Sequence, residues 1–117
     1  MKKVFDLNKR SYLFSKEVVL FINKLDCGKF QYPIITQLLR SATSIGANII
    51  EASSGMSRKI MIVYYSIALR SANETKYWLC LIRDTIDIDN KTIKELIQEA
   101  DEISKIIAKI IISTRSN

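Results

Sequence analysis

The sequence contains no histidine, and its two cysteines, Cys27 and Cys80, stand far apart without a CxxC pair. A zinc site or a disulfide framework therefore lacks the ligands that it needs. Di-iron sites in helix bundles use Glu-x-x-His pairs, and Ser–His or Cys–His nucleophiles need an imidazole, so these are excluded as well. We therefore predict a chain with no metal, no cofactor, no catalytic activity and no small-molecule substrate.

Glycine, proline and long apolar runs are also scarce. Three glycines and one proline in 117 residues leave few turn residues for a strand-rich fold, so long helices are expected. The longest apolar stretch, residues 60–69, is about half the length of a membrane-spanning helix. The amino-terminal residues become polar again at Asn8, which leaves no apolar core for a signal peptide. We predict a single cytoplasmic domain over residues 1–117 with no membrane association.

The whole chain has a net charge of +6, and its positive charge is concentrated in the first three quarters of the sequence. Residues 1–83 carry thirteen Lys or Arg against five Asp or Glu, whereas residues 84–117 carry five against seven. This excess could attract a polyanion. The candidate phosphate contacts are Lys9, Arg10, Lys16, Arg58 and Lys59. A solvated basic surface without a ligand is the alternative.

Breaker residues divide the chain into four segments with helical periodicity. The predicted helices cover residues 7–25, 33–53, 57–86 and 89–113. Pro33 suits the first turn of the second helix, Gly55 a left-handed turn after it, and Ser57 the cap of the third. The fourth can start at Asp89, or at Thr92 with Glu95 as a capping box. Short loops between such helices predict an all-α, antiparallel up-down-up-down four-helix bundle.

The apolar stripes of the third and fourth segments are wider than one bundle core requires. The additional apolar residues are Ile62, Tyr65 and Leu69 in the third segment and Ile97, Ile106, Ile111 and Ile112 in the fourth. An apolar surface left in water usually marks a protein interface. We therefore expect self-association through these two helices, although a long helix can also bury more than one face within its own domain.

A row of polar residues interrupts the apolar second segment. Its members, spaced at helical intervals, are Arg40, Ser44, Asn48 and Glu51, and the third segment carries a matching row of Arg70, Asn73, Glu74 and Tyr77. One explanation is a solvated helix face. The other is a partly buried network between helices or subunits, centred on Arg40, Ser44, Asn48, Glu51, Arg70 and Glu74, which would fix register.

The same residues carry a family resemblance that covers nearly the whole chain. Residues 40–51 follow the pattern R-x-A-x-S-I-x-x-N-I-x-E, and Ser57-Arg58 and Asn73-Glu74-Thr75-Lys76-Tyr77-Trp78-Leu79 come after it. This set resembles the bacterial four-helix-bundle family named for proteins encoded in intervening sequences of 23S ribosomal RNA genes. The chain departs from that pattern at Ile60 and Ser71, where relatives commonly carry acidic residues, so polar contacts there are expected to be absent or replaced.

The resemblance implies a bundle that assembles as a homopentameric ring without catalytic activity. A related protein is the accessory variability determinant of diversity-generating retroelements, a basic pentamer that works with a reverse transcriptase and RNA. By analogy, we expect a non-enzymatic homo-oligomeric adaptor that binds RNA or a ribonucleoprotein or nucleic-acid enzyme. A structural or protein–protein interaction module without a nucleic-acid role is the alternative.

Overall fold

The computed structural model describes residues 6–55, 57–88 and 90–116. Within these ranges the regular structure is entirely helical, which confirms the predicted all-α class. The helices are α1 (Leu7–Asn23), α2 (Tyr32–Ala52), α3 (Arg58–Thr85) and α4 (Asn90–Ser116), and a short 3-10 turn, Lys29–Gln31, precedes α2. Among the described residues, no helix has the length and hydropathy that crossing a lipid bilayer requires.

The helix ends follow local capping chemistry. The Asp6 carboxylate accepts hydrogen bonds from the backbone N–H groups of Asn8 and Lys9 and so starts α1. Ser57 caps α3 by accepting from the N–H of Ile60, as the sequence predicts. Gly55 has a φ of 87°, a left-handed conformation that favours glycine, in the turn between α2 and α3. The Gly55 turn and the Ser57 cap therefore connect the end of α2 at Ala52 to the start of α3 at Arg58 by a short turn.

The start of α4 differs from one of the two predicted alternatives. The helix begins at Asn90, so Thr92 lies inside the first turn and does not precede it. Asp89, the other predicted start, lies outside the described residues. The helix also continues to Ser116, beyond the predicted residue 113.

The helices pack as neighbours around one hydrophobic core. Helix α2 lies between α1 and α3, and α4 packs on α3 and α1. Hydrogen bonds join Asn8 to Ser53 and Ser15 to Ala42, so α1 and α2 run in opposite directions. The largest fully buried side chains include Leu38, Ile45 and Leu79. Burying each such side chain stabilises the fold by about 1.5–3 kcal/mol.

Ion pairs join the helices at the edges of this core. Lys76 of α3 lies 3.1 Å from the Asp101 carboxylate of α4, and Lys105 lies 3.0 Å from the same group. The hydrogen bonds from Lys105 and Lys76 lower the pKa of Asp101. Of these two pairs, only Lys76–Asp101 joins two helices, because Lys105 and Asp101 both belong to α4, and the exposure of Asp101 keeps the stabilisation by either pair small.

Most of the exposed apolar residues lie on α1 and α2, whereas the sequence predicts the surplus on α3 and α4. Tyr65 and Ile111 are buried. Ile62, Leu69 and Ile97 are half-buried and pack against the core, Ile106 is half-buried, and Ile112 is exposed. The physical reason is that these side chains flank the core rows of α3 and α4 and turn toward the neighbouring helices, while the outward face of α4 is charged. The exposed large apolar residues of α1 and α2 are Tyr12, Leu13, Val19, Leu20, Tyr32, Leu39 and Ile50, and those of α3 are Ile60, Val63 and Tyr77.

Gly46 allows α1 and α2 to approach closely. A Cβ atom at this position would lie 3.4 Å from Ser11 Oγ and 3.5 Å from Ser15 Oγ, which is ordinary contact distance. Because Ala is favoured over Gly in a helix by about 1 kcal/mol, we predict that Gly46→Ala raises the free energy of unfolding by about 0.5–1 kcal/mol. Urea unfolding at fixed protein concentration measures this.

The larger substitution Gly46→Leu should have the opposite sign. Its side chain cannot fit against Ser11 and Ser15 without moving α1, and such overpacking costs about 1–3 kcal/mol. If Gly46→Leu were as stable as Gly46→Ala, the two helices would not be in the close contact described here.

Candidate functional site

A ladder of small hydroxyl side chains joins α2 to α3. Ser41 Oγ lies 3.0 Å from Thr75 Oγ1, and Ser44 Oγ lies 3.0 Å from Ser71 Oγ. The Thr75 hydroxyl also donates to the Ser71 carbonyl oxygen at 2.7 Å. Ser41, Ser71 and Thr75 are buried. We call these four residues the hydroxyl seam, and their pairing order shows that α2 and α3 are antiparallel.

Asn48 continues the seam toward the end of α2. Its Nδ2 donates to the carbonyl oxygen of Ser44 at 2.8 Å and contacts Ser44 Oγ at 3.0 Å. The side chain is half-buried. Buried or half-buried polar groups need such partners, because leaving one unpaired costs about 1–3 kcal/mol. Ser44 and Asn48, both predicted from the polar row, therefore act together at the helix interface.

The Glu74 carboxylate is the second polar centre between these helices. It forms an ion pair with Arg40 of α2 and accepts a hydrogen bond of 3.0 Å from Trp78 Nε1. Gln37 Oε1 accepts from Arg40 Nε at 3.1 Å and so holds the guanidinium in place. The Tyr77 and Trp78 rings meet edge to face with centroids 4.9 Å apart. The carboxylate thus ties the indole and the guanidinium together across the α2–α3 contact.

Two residues of the predicted network do not join it. Glu51 is exposed, and its carboxylate forms no hydrogen bond or ion pair within the described ranges. Arg70 is also exposed and forms no ion pair within the same ranges. Arg40 and Glu51 are eleven positions apart, about 16 Å along the helix, so they cannot pair with each other. The prediction that Arg40 and Glu51 are partly buried was also wrong: the Arg40 side chain is 59% exposed, although it is paired with Glu74.

Arg10 was predicted to face a polyanion, and the structure gives it another role. Its guanidinium contacts Glu99 of α4 through two hydrogen bonds of 2.7 Å and Glu102 at 3.4 Å, and the side chain is only 16% exposed. The Glu99 hydrogen bond raises the pKa of Arg10. Arg10 therefore joins α1 to α4 through these ion pairs, and its guanidinium is not available to phosphate.

The other predicted basic residues lie on open faces. Lys9, Lys16, Arg58 and Lys59 are all exposed. The Asn8–Ser53 hydrogen bond holds the start of α1 against the end of α2, and the turn that follows leads directly into α3. Lys9, Arg58 and Lys59 therefore share one end of the bundle, which we call the basic end, while Lys16 lies about two turns further along α1.

Sequence reasoning missed most of the hydroxyl seam. Ser41 and Thr75 are fully buried, and the Ser71 hydroxyl contacts Ser44. The available signal was the spacing of Ser71 and Thr75 by four within a mostly apolar helix. Gln37 and Trp78 carried no signal, because only the fold shows that they meet Arg40 and Glu74.

The chemistry of the seam favours a structural role. In the described part of the chain, none of its four hydroxyls contacts a carboxylate, an amine or another group that could withdraw a proton, so none is activated as a nucleophile. Across the same residues, no three acidic or cysteine side chains converge as metal ligands would. The arrangement fixes how α2 and α3 meet.

These features define a helical protein with a polar contact between its second and third helices, and comparison with known proteins places it in a family. The 23S rRNA-intervening sequence protein family matches residues 3–109, so the chain belongs to that family, as the resemblance in its sequence indicated. A crystal structure from Bacteroides thetaiotaomicron VPI-5482 is similar, with a TM-score of 0.82 and 36% identity. The match covers 90% of this chain and 97% of that one, which is described as a protein with unknown function from the S23 ribosomal protein family. No curated protein matches the chain.

The two acidic residues of the polar rows should differ in their effect on stability. Glu74→Ala removes the partner of Arg40 and the acceptor of the half-buried Trp78 indole, so we predict a loss of about 1 kcal/mol in the free energy of unfolding. Glu51→Ala is the matched control and should change it by less than about 0.5 kcal/mol, as exposed unpaired positions do. Chemical denaturation of both variants decides this, and a larger loss for Glu51→Ala would contradict the assigned contacts.

Proposed function

We propose that the chain is a non-enzymatic homo-oligomeric adaptor of the cytoplasm whose basic end binds RNA. The observation that carries the proposal is the grouping of exposed Lys9, Arg58 and Lys59 at one end of the bundle in a chain of net charge +6. Phosphate contacts by Lys and Arg supply most of the sequence-independent affinity for nucleic acid.

The position of Lys59 adds an electrostatic argument. This residue stands in the first turn of α3, which contains no acidic residue. The amino-terminal end of a helix carries partial positive charge, so cations there are unfavourable by a few tenths of a kcal/mol or more. A bound phosphate would remove this repulsion, because helix amino termini and basic side chains both attract anions.

Self-association is the second part of the proposal. The family resemblance implies a pentameric ring. In addition, α1, α2 and α3 each carry several exposed large apolar residues, and exposed apolar surface of this kind supports a protein interface. A ring made from one repeated contact is heterologous, so each chain contributes two different surfaces. Such a ring would place several basic ends together, which multiplies their phosphate contacts.

The salt dependence of RNA binding tests the proposal. We predict that the wild-type protein binds labelled single-stranded RNA and that the logarithm of its affinity falls linearly with the logarithm of salt concentration. The double variant Lys9→Gln/Lys59→Gln should bind more weakly, and its slope should be shallower by about 0.7 for each lost phosphate contact.

A matched variant controls for net charge alone. Lys29→Gln/Lys94→Gln removes the same charge from exposed positions outside the basic end, so it should bind much as the wild type does. No binding of RNA by the wild-type protein even at low salt would overturn the RNA role and favour a structural or protein-binding module. Equal losses in the two double variants would overturn the assignment to the basic end.

A further inference from the structure

A row of side chains follows the outermost line of α3. Its members are spaced by four, three, four, three and four residues, so they share one face of the helix. They are Lys59, Val63, Ser66, Arg70, Asn73 and Tyr77, and all are exposed except Ser66, which is half-buried. Helix α2 contacts α3 at Ser71 and Thr75, and α4 contacts it at Lys76. The row therefore lies on the side of α3 that faces neither helix, and we call it the α3 row.

The polar side chains of the α3 row are not used to hold the fold together. Lys59, Arg70, Asn73 and Tyr77 form no side-chain hydrogen bond or ion pair in the part of the chain that the structure describes. The hydroxyl seam and the Glu74 carboxylate, which face α2 from the same helix, are by contrast hydrogen-bonded. The unpaired polar groups of α3 are thus collected on one open line, where a ligand can reach them.

The charge of the α3 row is positive. Its cations are Lys59 and Arg70, and α3 contains only two acidic residues, Glu74 and Asp84. The Glu74 carboxylate is paired with Arg40, and that of Asp84 lies 2.8 Å from the arginine that precedes it. The two cations of the row therefore face no unpaired carboxylate of their own helix. Such a line attracts a chain of phosphate groups.

Tyr77 adds an aromatic ring to this basic line. Its side chain is 61% exposed, and its ring meets that of Trp78 edge to face with centroids 4.9 Å apart. The Trp78 indole is itself fixed by its hydrogen bond to Glu74, so the contact orients the tyrosine ring and its exposure leaves ring surface open. Proteins bind single-stranded nucleic acid by combining cations for the backbone with aromatic rings on which bases stack. A paired base inside a duplex cannot reach such a ring.

We propose that the α3 row binds single-stranded RNA, with Lys59 and Arg70 on its phosphates and an unpaired base stacked on Tyr77. This inference rests on the RNA role proposed above and deepens it, because it names single strands as the ligand. It also extends the site by about 27 Å along α3, from Lys59 at the basic end to Tyr77. The amide of Asn73, about one turn before Tyr77, can donate to and accept from the edge of a base.

The position of Trp78 provides a direct readout, because it is the single tryptophan of the chain and contacts Tyr77. The probe is a short, unstructured RNA strand, compared with an abasic strand of the same length and with an RNA duplex. We expect the single strand to change the fluorescence of Trp78 and to bind at least about fivefold more tightly than the abasic strand, since a stacked base contributes this much or more.

Substitutions separate the ring from the phosphate contacts. Tyr77→Leu should bind the single strand at least about fivefold more weakly with an unchanged salt slope, because it removes stacking and no phosphate contact. Tyr77→Phe keeps the ring and should bind as the wild type does. Arg70→Gln should make the slope shallower by about 0.7. Tyr32→Leu is the matched control, because it removes a tyrosine that is 57% exposed but lies outside the row.

The outcomes distinguish this inference from the RNA role on which it rests. Salt-dependent RNA binding that is equal for Tyr77→Leu and the wild type, or equal for the abasic and the normal strand, would overturn the stacking site and leave the basic end as the RNA contact. No binding by the wild type even at low salt would overturn both. Circular dichroism checks the fold of each variant, and if Tyr77→Leu does not fold, the comparison of the two strands on the wild-type protein decides.

Discussion

Close packing on both sides of α2 is the constraint on which the rest of the structure depends. On one side Gly46 faces Ser11 and Ser15 of α1, whose hydroxyls a Cβ atom at this position would meet at 3.4 and 3.5 Å, and on the other side Ser41 and Ser44 meet Thr75 and Ser71 of α3. Small residues permit this approach, and hydrogen bonds between hydroxyls prevent the helices from sliding, because a shifted register would leave buried polar groups unpaired. The remaining helix, α4, then completes the core against α3 and α1.

This arrangement separates structural from binding residues. The polar positions at the α2–α3 contact are used in holding two helices together, and Arg10 holds α4 to α1. Lys9 and Lys59, in contrast, are exposed at the basic end.

The helices and their ends could be predicted from sequence because breakers and caps act locally. Pro33, Gly55 and Ser57 each act within one turn of the chain, and α2 and α3 begin close to the predicted residues. In the candidate site, the sequence indicated which polar residues share a helix face but not which residues they contact. A helical row shows that Arg40 and Glu51 share a face, but which neighbour each meets depends on the antiparallel offset, and this offset selects Glu74 as the partner of Arg40. Arg10 was misassigned for the same reason, because its partner Glu99 is eighty-nine positions away.

The role of the hydroxyl seam in fixing the α2–α3 contact is most directly tested by a double-mutant cycle with Ser41→Ala and Thr75→Val. Both residues are fully buried and their oxygens lie 3.0 Å apart. The account predicts a coupling free energy of about 0.5–1.5 kcal/mol between the two substitutions, because either one alone already removes the contact between the two hydroxyls, although each hydroxyl keeps a backbone acceptor, the carbonyl oxygen of Leu38 or of Ser71. Strictly additive losses in urea unfolding would show that the two hydroxyls do not interact and would contradict the account.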